Sequence, residues 1–139
     1  MAADAHKKLY LDSDVWITYF DKTDFRRGIV LELFEKIKGE NIPVIVTDVH
    51  LKEMRATGYI KRFEEAVDNF ITIREISCAM DQKEAEALNK KLRLGSDDCL
   101  HMTIAKRMKS IPVSYDEHWE KIGEELEIKV LMPGGILNL

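Results

Sequence analysis

Cysteine is scarce in this chain. Cys78 and Cys99 are its two, with no C-x-x-C spacing, so neither a disulfide framework nor a zinc knuckle is encoded and both are expected to be reduced, packed thiols. Proline and glycine are few as well, three and seven in 139 residues. They never gather with serine into a linker, and no low-complexity tract or internal repeat divides the sequence. One domain over residues 1–139 is therefore expected, with residues 1–7 a flexible tail. Long apolar runs are missing too. Nothing approaches the roughly 20 residues of a spanning helix, and the start, Met1-Ala2-Ala3-Asp4-Ala5-His6-Lys7-Lys8, has no apolar signal region, so a cytoplasmic protein with no membrane partner is expected. Charge of one sign does not dominate either: 21 Lys and Arg against 25 Asp and Glu leave a net −4. That balance would argue against a nucleic-acid partner only if the acids were spread evenly. A cluster of carboxylates built to hold metal would carry several of the negative charges and leave the rest of the surface near balance.

What is present is an alternation of element types. Leu9-Tyr10-Leu11 reads as a short strand, and Val30, Leu33, Phe34 and Ile37 form the stripe of an amphipathic helix. Ile42 to Val46 is continuous and β-branched, as in a parallel strand buried on both faces, and Thr47 or Asp48 can cap the helix that follows. Ile71 to Ile76 reads as a half-exposed edge strand. Asp81 to Glu84 then offers a capping box, opening a helix with Ala85, Leu88 and Leu92 inward. Gly95-Ser96 ends that helix and starts another, with Leu100, Ile104 and Met108 inward. Ile111 to Ser114 and Ile128 to Met132 predict two more strands around a helix carrying Trp119, Ile122 and Leu126, and Pro133-Gly134-Gly135 closes the regular structure. Five strands with helices between them imply an α/β fold with a mostly parallel sheet covered on both faces. In such a sheet the ligand site lies beyond the carboxyl ends of the strands.

Acids stand at those ends. Asp12 follows the first strand, Asp48 the second and Asp116 the fourth. Capping is the ordinary use of an Asp in that place, and for Asp48, beside Thr47, it suffices. Glu53 lies about one and a half turns into the next helix, on the side of Val49. Asp97 and Asp98 share a helix start, where one can cap while the other faces a site, and the helix dipole favours both.

Four segments, in order, resemble the PIN-domain nucleases. Leu9-Tyr10-Leu11-Asp12-Ser13-Asp14-Val15 is similar to the family's opening strand ending in Asp, then a hydroxyl residue, then usually Asn. Val46 to Met54, with Leu51-Lys52-Glu53, resembles its second segment and helical glutamate. Asp98-Cys99-Leu100-His101-Met102-Thr103-Ile104-Ala105 resembles the third, and Ser114-Tyr115-Asp116-Glu117-His118-Trp119 the fourth. The resemblance covers about residues 8 to 132. It implies a three-layer α/β/α domain with a parallel sheet of about five strands, and Mg²⁺- or Mn²⁺-dependent cleavage of RNA. It carries the metal ligands to Asp12, Glu53, Asp98 and Asp116, with Ser114 a supporting hydroxyl and Asp97, Asp14 and Ser13 a second tier. Asp14 stands where Asn is usual, Ser13 where Thr is usual, and His118 where many members have an acid.

The chemistry suits the residues. A phosphodiester is already anionic, so water attacks it readily only where cations neutralise the growing charge. Hard oxygen ligands select Mg²⁺ or Mn²⁺ and leave positions for phosphate oxygen and water. Lys52 and Arg55, flanking Glu53, are the favoured substrate-binding cations. Arg26-Arg27, Lys61-Arg62, Lys90-Lys91-Arg93 and Lys106-Arg107-Lys109 are further candidates that ordinary solvated helix faces also explain. Tyr10, Trp16, Tyr19 and Phe20 can stack on bases, though core packing is the usual fate of such residues. His101 reads as a buried partner of backbone. Small stand-alone members resemble VapC-type toxins, which implies a homodimer and a small antitoxin partner. The competing expectations are an inactive PIN-like module that binds RNA or docks a protein, and a HAD-type phosphohydrolase, imitated by Asp12-Ser13-Asp14, Thr47 and Asp97-Asp98.

Overall fold

A computed structural model describes residues 7–139, so all but the last residue of the expected tail lies outside the described residues. Four short strands form one parallel sheet in the order β3-β2-β1-β4: β1 (Leu9–Leu11), β2 (Val44–Thr47), β3 (Thr72–Glu75) and β4 (Ile111–Val113). Around them in chain order lie α1 (Ser13–Phe20), α2 (Arg27–Gly39), α3 (Asp48–Thr57), α4 (Ile60–Val67), α5 (Ala79–Leu92), α6 (Ser96–Arg107), α7 (Glu117–Leu126) and α8 (Pro133–Leu137).

The strands are apolar throughout because both faces are covered. Alternate residues go to opposite sides: Leu9, Leu11, Val44 and Val46 join one core with Trp16, Phe34, Phe63 and Ile136, while Tyr10 and Ile45 join the other with Val49, Leu100, Ile104 and Trp119. The first core is aromatic at its centre. Trp16 meets Phe34 and Phe63 at centroid distances of 4.9 and 5.0 Å. Stripe residues Val30, Leu33, Phe34 and Ile37 are all buried, as their spacing requires. Tyr10 and Trp16 are fully buried, which removes them as base-stacking surfaces.

Several boundaries differ from the sequence reading. The expected fifth strand, 128–132, is reduced to a single parallel bridge of Leu131 to Val113. Its flanks are used up: Ile128 N–H donates to Gly123 O to close α7, and Met132 is the N-cap of α8. Pro133-Gly134-Gly135 opens that helix instead of ending the regular structure, with Pro at a first-turn position where its missing N–H costs nothing. The box at the start of α5 is Cys78 with Asp81, not Asp81 with Glu84. Asp81 accepts from Cys78 N–H and binds Arg107 at 2.8 Å through both carboxylate oxygens, so Arg107 is spent on structure. Cys99 is buried as expected and burial pushes its thiol up to about 11, but Cys78 is exposed. Helices α1 and α4 have no counterpart in the sequence reading. Among the described residues no helix is long and apolar enough to cross a membrane.

Candidate active site

Two strand ends deliver acids to the site. Asp12 leaves β1 as the N-cap of α1, and Asp116 follows β4 as the N-cap of α7, accepting from His118 N–H at 2.8 Å. Capping and a place in the cluster are compatible in both. At the end of β2 the cap is Thr47, whose hydroxyl accepts from His50 N–H while Thr47 N–H donates to His50 Nδ1. Asp48 caps nothing. It accepts from Ser77 N–H and Oγ–H at 2.7 and 2.6 Å, pinning the loop beyond β3. His50 is buried, and burial holds its ring down to about 3, so it is neutral. Its Nε2–H donates to Leu11 O at 2.7 Å, fixing the last carbonyl of β1 beside Asp12.

Ser114 joins two of the acids. Its hydroxyl donates to Asp12 Oδ2 at 2.6 Å and accepts from Asp116 N–H at 2.9 Å. Glu53 projects from mid-α3, and its Oε1 accepts from Ser13 Oγ–H at 2.7 Å and from His101 Nε2. His101 is fully buried, and its other ring nitrogen meets Tyr10 Oη at 2.6 Å. Its partners are thus side chains, not the backbone expected from sequence. Neither acid at the start of α6 caps it, because Gly95 with φ 110° takes that place without a side-chain bond. Asp98 Oδ1 accepts from Trp119 Nε1–H at 3.0 Å. Asp97 instead pairs with Lys52 at 3.0 Å, on the rim of a separate cavity between α3, α5 and α6. That pair turns both side chains toward that cavity. Arg55 is exposed two residues after Glu53.

The electrostatics tie the cluster together. Burial pushes the Asp12 carboxyl up to about 7, with the charges of Asp14 and Asp98 adding to it against Ser114 and His101. Desolvation, then the charges of Glu53 and Asp116, raises Asp14. Burial, then Asp116 and Glu53, raises Asp98 against its bond from Trp119. Burial also opposes the Glu53 charge, yet the bonds from His101 and Ser13 outweigh it and hold that carboxyl below its ordinary value. Five carboxylates from four chain segments therefore repel one another at one sheet edge, where a cation relieves them.

The donor set fits a hard divalent ion. Glu53, Asp98 and Asp116 each have one oxygen held by a protein donor. Among the described residues no hydrogen bond takes Glu53 Oε2, Asp98 Oδ2 or Asp116 Oδ2, the pattern of ligands oriented by outer partners. Asp98, Asp116 and His118 offer donor atoms within 4.8 Å of one another, His118 Nδ1 lying 3.6 Å from Asp98 Oδ2 and 3.9 Å from Asp116 Oδ1. The residues whose part at the site the sequence did not reveal are Tyr10, His101 and Trp119, which read there as a candidate base-stacker, a partner of backbone and an apolar helix residue. The usable signal was the three-residue spacing of Asp98 and His101, which puts both on one helix face.

The comparisons agree with this architecture. The family model described as PIN domain matches residues 9–125. Among solved structures, VapBC2 from Rickettsia felis bound to a DNA fragment from their promoter is similar with a TM-score of 0.65 and 12% identity, over 89% of this chain and 97% of that one. FitAcB from Neisseria gonorrhoeae is similar with a TM-score of 0.62 and 12% identity, over 90% of this chain and 97% of that one. No curated protein matches the sequence.

Proposed function

The chain belongs to the PIN domain family, and on that premise we propose that it is an endoribonuclease that cleaves RNA phosphodiester bonds with Mg²⁺ or Mn²⁺. The single observation supporting this reading is an acidic cluster from four separate segments at the carboxyl ends of the strands, with Asp98, Asp116 and His118 offering donor atoms within 4.8 Å, Ser114 joining Asp12 to Asp116, and Glu53 beside them on Ser13 and His101. In this reading Asp12, Glu53, Asp98 and Asp116 hold the ion, with Asp14 at the edge of the cluster. When bound, the ion supplies Lewis-acid chemistry, neutralising the charge that grows on a phosphodiester attacked by water.

The chain's own residues do the positioning. Ser114 holds Asp12 and the backbone of Asp116 in one arrangement. Ser13 and His101 turn Glu53 so that Oε2 faces outward from their bonds, and Trp119 does the same for Asp98 Oδ2. Lys52 adjoins Glu53 but pairs with Asp97, so the exposed Arg55, two residues after Glu53, is assigned to the substrate phosphates. Asp97 and Lys52, satisfied by each other, stand outside the ligand set. The likeness to VapBC2 and FitAcB supports a VapC-type toxin. We assign it a small antitoxin partner, a homodimeric state and a cytoplasmic location.

Cleavage of a labelled structured RNA in EDTA, Mg²⁺ or Mn²⁺ tests the proposal. Cutting is expected with either metal and not in EDTA, and Asp12→Asn and Asp98→Asn are each expected to lower it by about 10²-fold or more. Cutting that survives both substitutions overturns the assignment of the site. RNA binding without any cutting would make the chain a binding module on the same fold.

A further inference from the structure

A second feature lies away from the acids. A groove of about 580 Å³ opens where the end of α1 meets the turn between α3 and α4, lined by Tyr19, Phe20, Lys22, Arg27, Tyr59 and Arg62 together with Asp21. Phe20 and Tyr59 present nearly parallel rings, 20° apart with centroids at 5.8 Å, and Tyr19 packs edge-on against Phe20. The Arg62 guanidinium lies 6.0 Å from the Tyr59 ring centre and donates to Phe20 O, while Arg27 Nε–H donates to Tyr19 O at 3.0 Å. Backbone carbonyls thus hold two guanidinium groups at the groove, that of Arg62 against the Tyr59 ring.

The charge here runs opposite to that of the chain. Among the described residues none of Lys22, Arg27 and Arg62 makes an ion pair with a carboxylate. The one acid in the lining, Asp21, is occupied by Thr23 N–H and Oγ–H at 3.0 and 2.7 Å. Three cations against one anion leave +2 in the groove of a chain whose net charge is −4. Cations along a path and aromatic faces beside it are what a single strand of nucleic acid needs, since every base has a face to stack and every nucleotide a phosphate. The position suits such a strand. Helix α1 carries Ser13 and Asp14 at its start and Phe20 at its end, about 9 Å further on, and α3 carries Glu53 upstream of Tyr59.

We propose that this groove is a subsite for single-stranded RNA next to the cleaved bond, with phosphates at Lys22, Arg27 and Arg62 and bases against Phe20 and Tyr59. The inference rests on the nuclease reading for its substrate, and the measurement separates the two. The full chain in EDTA, where RNA stays uncut, is titrated against a fluorescein-labelled single-stranded oligoribonucleotide of about eight nucleotides, with anisotropy read over a range of KCl concentrations. Lys22→Glu with Arg62→Glu, both exposed, is expected to weaken binding about tenfold or more and to reduce the salt slope by about 1.4, two phosphates at about 0.7 each. Phe20→Ala is expected to weaken binding about tenfold with the slope unchanged. The same charge change at exposed positions outside the groove, Lys83→Glu with Lys129→Glu, is expected to leave the affinity near wild type.

Equal losses from both charge-reversed pairs, or an unchanged affinity in Lys22→Glu with Arg62→Glu, overturn the groove. So does a pair that keeps its RNA affinity while losing affinity for a poly-glutamate peptide, because the groove would then dock protein. Metal-dependent cutting with no effect from the groove substitutions sinks the subsite and leaves the nuclease standing. Groove-dependent RNA binding without cutting does the reverse.

Discussion

His101 has no solvent exposure and sits between the Tyr10 hydroxyl and the Glu53 carboxylate. Burial pushes the Tyr10 phenol well above its usual range, so its hydroxyl keeps its proton beside Nδ1, and Glu53, held below its ordinary value, accepts from Nε2. The result is a chain Tyr10, His101, Glu53 running out of the core into the acidic cluster. Removing an outer partner of a metal ligand costs about 10–100-fold in metal affinity. His101→Leu is therefore expected to weaken Mn²⁺ binding by that factor, Tyr10→Phe by less, and His101→Gln, which keeps a donor, to recover part of the loss. Calorimetric titration with Mn²⁺ in the absence of RNA reads this directly. In a Glu53→Gln background the His101 change should add nothing, because it acts through Glu53. An additive loss would show a general loosening of the core instead.

At the scale of elements, the turn after α7 makes a sharp demand. A Cβ on Gly123 would lie 2.7 Å from Ile128 O and 3.0 Å from Val130 Cγ2, and the first of these is backbone that closes the helix end. Gly123→Ala is expected to cost about 1–3 kcal/mol, read as a lower urea midpoint with the slope unchanged. The same turn explains what was hard to read from sequence. Ile128 to Met132 has the composition of a strand, but Ile128 belongs to the helix closure and Met132 to the next cap, leaving Leu131 alone to pair. The four strands and the stripe of α2 were legible, since apolar alternation and spacing carry their own signal. So was the placement of Asp12 and Asp116 after strands and of Glu53 and Asp98 on helices. Partnerships were not legible: that Asp97 turns to Lys52 while Asp98 turns to Trp119 depends on how α6 rotates against α3 and α7.

For the molecule as a whole, the acidic edge sets the balance between stability and charge. The Asp12 carboxyl has an ordinary value of 3.8 and is raised to about 7 in the fold. The folded state therefore holds this proton more tightly than the unfolded state does, and the stability linked to it, fully present below 3.8, is lost as pH rises through 7. In EDTA, Asp12→Asn should thus melt higher than wild type by a margin that grows from pH 5 to pH 8. Millimolar Mg²⁺ or Mn²⁺ should raise the wild-type melting temperature at pH 8 and move Asp12→Asn much less. A margin independent of pH would mean that Asp12 is not strained by its charge. One coincidence in the geometry has a bearing on kinship. Asp12 and Asp116 start α1 and α7 as well as joining the cluster, while Glu53 and Asp98 cap nothing. On the proposed function, a descendant that abandoned cutting would still be selected to keep positions 12 and 116 for its helices, while at 53 and 98 an uncharged amide would serve the bonds from His101, Ser13 and Trp119. If the proposed function holds, it is the charge at 53 and 98, not a side chain of that shape, that would mark a relative still able to cut.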